Sequence, residues 1–147
     1  VFSALMDMMD DDELMAIIGH EIGHVVNHDV KDAMKNAYVA SAALNAAGAA
    51  GGKIAQLSES QLGELTSAFV DAQFSQKQEY EADEYGFRFC VEHGFSPYGM
   101  ANGLNKLVEL SQGAKASVVQ KMFSSHPDSE KRAARMKAKA DEYMAGK

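Results

Sequence analysis

At 147 residues, 46% of them apolar and 24% charged, the chain has the composition of one globular domain, residues 1–147, large enough to bury a core unaided. A formal charge of −7 speaks against nucleic acid as a partner, because phosphate binding asks for clustered Lys and Arg. The single cysteine, Cys90, rules out an intramolecular disulfide; among Phe87, Phe89 and Val91 it reads as a small buried hydrophobe, not a nucleophile.

The chain opens on Val1 to Met6, a short apolar run that fits a strand. It starts without Met and shows no leader, so a fragment lacking an N-terminal segment is expected, with any targeting signal out of view. Asp10 with Glu13 three residues on forms a capping box, and the acidic first turn complements the helix dipole. Leu14, Ile17, Ile18, Ile22, Val25 and Val26 then recur at helical spacing, which predicts one helix running through Tyr38 toward Gly48. The small-residue run from Ala37 to Ala55 lacks the apolar density of a membrane span. Gly48 to Lys53 reads as a loop; it does not carry the GxxxxGK[ST] phosphate-binding pattern.

Further helices are predicted over Glu59 to Phe69, from a Ser75/Gln78 capping box to Gly94, from Ser96-Pro97 with proline at the first position to about Gln112, and from about Asp128 to Met144. A weaker helical piece follows Gly113. The basic stretch Lys131, Arg132, Arg135, Lys137 and Lys139 is read as a solvated helix face. The fold class is therefore mainly α, with little or no sheet.

The chemistry is concentrated in His20-Glu21-Ile22-Gly23-His24, an HExxH on the first long helix. Residues four apart share a helical face, so two neutral imidazoles can converge on one ion while Glu21 stands beside them as a base. A catalytic zinc takes three protein ligands and leaves one position open. His28 is a poor third: on a continuous helix it lies ~6 Å beyond His24 along the axis, too far to share an ion centred between His20 and His24. Glu79 is the better choice, with Asp83 one turn on to accept the free ring N–H of a ligating histidine. Glu81 should then point away. His126 precedes a proline, so it belongs to an extended loop; it either reaches the cleft to stabilise an oxyanion or caps the zinc as a fourth ligand. His93, at a helix end, is explained by the helix dipole.

Together, His20-Glu21-x-x-His24, Glu79-x-x-Ala82-Asp83 and His126-Pro127 followed by Arg132 resemble the HtpX-like zinc metallopeptidases, which include the CAAX prenyl endopeptidases. The resemblance covers nearly the whole chain in order and is closest to the soluble periplasmic lipoprotein members; Phe74 to Glu79 and Ser125 to Ser129 carry much of it. It implies a zincin-like core with one zinc held by His20, His24 and Glu79, Glu21 as general base, Asp83 behind the ligands, and His126 and Arg132 beside the cleft. It further implies endopeptidase action on misfolded or unassembled envelope proteins, in the periplasm, with the full-length protein lipid-anchored. Members carry an upstream hairpin along which an extended substrate adds as a strand, and this sequence is expected to lack that segment. Two rivals stand beside this expectation: a protease-like chaperone or binding module with structural zinc, and a latent protease whose His126 loop plugs the site.

Overall fold

The computed structural model describes residues 6–48, 74–112 and 126–147. The strand expected at Val1 falls largely outside them, as do the glycine-rich loop after Gly48, the helix expected at Glu59 to Phe69 and the piece after Gly113. Among the described residues there are helices and no strand: α1 (Asp11–Val26), α2 (Asp29–Gly48), α3 (Gln76–Glu92), α4 (Gly99–Ser111) and α5 (Ser129–Ala145). None is long and apolar enough to cross a membrane.

The capping residues act as the sequence suggests at two of these starts. Asp10 accepts from the Glu13 amide while the Glu13 carboxylate accepts from the Asp10 amide, opening α1. Ser75 and Gln78 do the same for α3. Each such cap contributes about 1 kcal/mol. At the other end of α3, the His93 ring donates to the Phe89 carbonyl, and Gly94 takes a φ of +80° to turn the chain away.

Two boundaries differ from expectation. The helix predicted to run from Asp10 to Gly48 is broken at Asn27-His28, where His28 has φ +63° and sits exposed between α1 and α2. The break redirects the chain so that Asp29, buried at the start of α2, turns back toward α1. Pro97 also lies before α4, not at its first position: Ser96 accepts from the Tyr98 amide, and α4 begins at Gly99.

The core lies among α1, α3, α4 and α5, built from Ile17, Phe87, Met100, Leu104, Met136 and Ala140. What brings α1 against α3 is the absence of side chains at their crossing. A Cβ on Gly19 would stand 3.0 Å from the Gly86 Cα, one on Gly23 3.0 Å from the Ala82 Cα, and one on Gly86 2.9 Å from the Ala16 carbonyl. Glycines at i and i+4 on α1 thus mesh with Ala82 and Gly86, also four apart on α3, and the backbones approach closely. Since His20 and His24 each follow one of those α1 glycines, the crossing that needs glycine also points both rings at α3.

Candidate metal centre

Four side chains from three regions meet at this crossing. His20 and His24 come from α1, Glu79 from the first turn of α3, and His126 from the segment leading into α5; one donor atom of each lies within 4.8 Å of all the others. His20 Nε2 is 3.1 Å from His24 Nε2 and 3.3 Å from His126 Nδ1. Glu79 Oε1 is 2.9 Å from His126 Nδ1 and 3.3 Å from His24 Nε2. His20, His24 and Glu79 are buried; His126 is partly so.

The outer nitrogen of each histidine on α1 is held by a buried acid. His20 Nδ1 lies 2.9 Å from Asp83 Oδ1, and His24 Nδ1 lies 2.8 Å from Asp29 Oδ2. A carboxylate only accepts, so a neutral ring at either position would carry its proton on Nδ1 and turn its Nε2 lone pair inward. Two imidazole lone pairs and a carboxylate oxygen then face one another, an arrangement that calls for a cation. An ion bonded at ~2.0–2.1 Å to the corners of a tetrahedron sets them ~3.3 Å apart, and the separations above lie close to that spacing. The cluster has the donor set and the size to hold a metal ion.

Behind the donors stands a buried network. Arg132, fully buried on α5, donates through Nε (2.9 Å) and Nη2 (2.6 Å) to the two Asp83 oxygens, and its Nη1 makes an ion pair with Glu79 Oε2. Burial alone would raise both carboxyls. For Asp83 the Arg132 and His20 contacts win, and for Glu79 the His126, His24 and Arg132 contacts win, so both are held below the ordinary carboxylate range. The histidines diverge. Burial, aided by Arg132, lowers His20 despite Asp83, whereas for His24 burial is outweighed by Glu79 and Asp29 and the pKa is raised.

Phe74 stacks on the His24 ring at 4.0 Å between centroids and 17° between planes, closing that side. Glu21 is about half exposed (47%) at the cleft, 3.6 Å from His126 Nε2, so His126 stands between Glu21 and the buried donors. Glu81 points outward and pairs with Lys77. His28 and His93 lie outside the cluster. Cys90 is buried and its thiol is pushed up to about 11, chiefly by burial, which leaves it protonated and inert.

The structure brings together every site residue named from the sequence: His20, Glu21, His24, Glu79, Asp83, His126 and Arg132. Sequence reasoning missed Asp29, the buried acceptor of the His24 ring N–H. The signal was available in Asn27-His28-Asp29, three polar residues in a row that interrupt the apolar stripe of α1.

A histidine pair on one helix, a carboxylate from a second and buried acids behind them define a mainly helical metallopeptidase domain. The chain belongs to peptidase family M48, whose model matches residues 1–140. It is 45% identical over 133 residues to Metalloprotease LoiP of Escherichia coli (strain K12), a match covering 90% of this chain and 51% of that protein. It is 38% identical over 147 residues to Metalloprotease YcaL of the same organism, covering 100% of this chain and 55% of that protein. The chain thus spans about half the length of these curated relatives. No solved structure matches the chain.

Proposed function

We propose that this chain is the catalytic core of a zinc-dependent endopeptidase, with His20, His24 and Glu79 holding the ion and Glu21 serving as general base. The observation that carries the reading is the convergence of the inward-facing nitrogens and the Glu79 carboxylate beside an exposed carboxylate one residue from a ligand. Zinc held there supplies Lewis acidity, bringing the pKa of water toward ~7 and polarising a peptide carbonyl. Glu21 takes the proton from the attacking water and returns it to the departing amine. Asp83 and Asp29 keep the two ligand rings in the tautomer with Nε2 free, and Arg132 keeps Asp83 and Glu79 ionised in a buried setting. The His126 ring is within reach of Glu21, where an N–H would favour the developing oxyanion.

A second reading is supported by a specific distance. His126 Nδ1 fills the fourth corner of the donor set, and a zinc with four protein ligands has no position open for water. In that reading the enzyme is latent until the His126 segment swings out. His126→Ala then raises activity; under the oxyanion role it lowers it. A non-cleaving binding module is disfavoured by Glu21, which a structural zinc would not require.

Substrates are proposed from the resemblance: unfolded or unassembled envelope proteins, met in the periplasm by a full-length protein held through a lipid anchor. The test is metal content of the purified chain together with cleavage of casein, with and without chelator. One zinc per chain with chelator-sensitive cleavage supports the reading, and Glu21→Gln is expected to keep the zinc and abolish cleavage. Absence of zinc at saturating concentration overturns it.

A further inference from the structure

The cap of α3 is tied to the metal centre through Gln78. Its Oε1 accepts from both the amide (2.9 Å) and the hydroxyl (2.9 Å) of Ser75, closing the capping box. Its Nε2 donates 3.0 Å away to Asp29 Oδ1, the oxygen that His24 does not use. The amide orientation is fixed by its surroundings: a flip would set Nε2 against the Ser75 N–H and Oε1 against a carboxylate. Asp29 is buried, with 3% of its surface exposed, and sits directly after the left-handed residue that breaks α1 from α2. The His24 ring on α1 holds Asp29 Oδ2, and Gln78 holds Oδ1. On the opposite side Asp83 is gripped by two nitrogens of Arg132; on this side the corresponding grip comes from one neutral amide.

We infer that Gln78 is a positioning residue for the metal centre: through Asp29 it fixes the tautomer and plane of His24. This rests on the reading of His24 as a metal ligand. A residue serving only as a helix cap would stabilise α3 and leave metal affinity alone. A residue acting through Asp29 sets affinity, and its effect disappears once Asp29 is gone.

That difference gives the experiment, a double-mutant cycle on the full chain read by zinc affinity in chelator competition, with circular dichroism to check folding. Gln78→Ala is expected to weaken zinc binding about tenfold, at the lower end of what loss of a group behind a ligand costs. In an Asp29→Ala background the same change is expected to have no further effect on affinity, although the cap is lost there too. Long-range proton–nitrogen NMR of the metal-free protein should show the His24 Nδ1–H becoming less populated in Gln78→Ala. Equal losses in both backgrounds, or unchanged affinity in Gln78→Ala while wild type binds zinc, overturn the inference and leave the centre standing. Wild type without zinc affinity overturns both. Should Gln78→Ala fail to fold, Gln78→Met keeps the length of the side chain but loses the donor, and it is read in the same two backgrounds against the same outcomes.

Discussion

His20 and His24 sit one turn apart on α1, yet what stands behind each ring differs. Behind His20 is Asp83 on α3, itself clamped by Arg132 on α5, so three helices of the core share one buried ion-pair network. Behind His24 is Asp29, at the first residue of α2, held by the neutral amide of Gln78 and flanked by the stacked ring of Phe74. Both sides place an acid on a ring Nδ1. The first side does so with paired charges inside the core, the second with a carboxylate delivered by a break in a helix. The first is therefore coupled to global stability, and the second is coupled to local geometry.

The widest separation of the two sides is expected from removing their outer partners. Arg132→Met leaves Asp83 and Glu79 buried without their cation, and breaking a buried pair in this way costs about 3–5 kcal/mol. Urea unfolding of the metal-free protein measures it. Gln78→Ala, by contrast, should cost about 1 kcal/mol, the value of the cap it closes. Similar losses for the two would erase the distinction drawn here. Next in size are the acids themselves. Asp83→Ala and Asp29→Ala are each expected to weaken zinc binding ~10–100-fold, but only Asp83→Ala should also lower the unfolding free energy substantially, because it orphans Arg132. Equal effects of the two variants on stability would count against the contrast; unchanged affinity in either would remove that acid from the centre.

The same contrast explains what could be read from the residues beforehand. Asp83 was legible because it lies four residues after Glu79 on a helix whose start is marked by a capping box, and helical spacing alone puts both on one face. Glu79 and the histidine pair were legible for the same reason. Asp29 was not, because its place depends on a left-handed His28. Asn27-His28-Asp29 marks an interruption of the helix but not the left-handed turn that carries Asp29 back to His24, which a glycine would have flagged more plainly. Gln78 was visible only as a capping residue, since its second contact reaches across 49 positions of sequence. The helix crossing was half visible: Gly19, Gly23 and Gly86 could be seen, but which helix they approach is a matter of topology. His126 could be assigned an extended backbone from Pro127 and a place at the cleft, but not which of two roles it has there. Local rules reached what one helix arranges and stopped where a second element supplies the geometry.

The smallest expected effect is also the one that sets the two histidines directly against each other, through pH. His24 has a folded-state pKa raised above 6.5, where Glu79 and Asp29 outweigh burial. The stability it contributes to the metal-free protein is fully present below its unfolded pKa and is lost as pH rises through the folded value. His20 is lowered by burial and by Arg132, so its contribution has the opposite sense: present above the unfolded pKa and lost as pH falls through the folded one. Across the region near pH 6–7, where unperturbed histidine titrates, the two contributions to the metal-free protein therefore oppose each other. Asp29→Asn removes one of the three carboxylates that raise His24 (Glu79, Asp29 and Glu21) and leaves the contacts of His20 in place, so relative to wild type the midpoint should fall as the solution is acidified. Glu79 stays in place in that variant, so the tilt is expected to be partial. Thermal melts of the two metal-free proteins across that range decide it. A variant profile parallel to wild type would mean that Asp29 does not hold the proton on His24, and the two sides of the centre would then differ in structure without differing in charge.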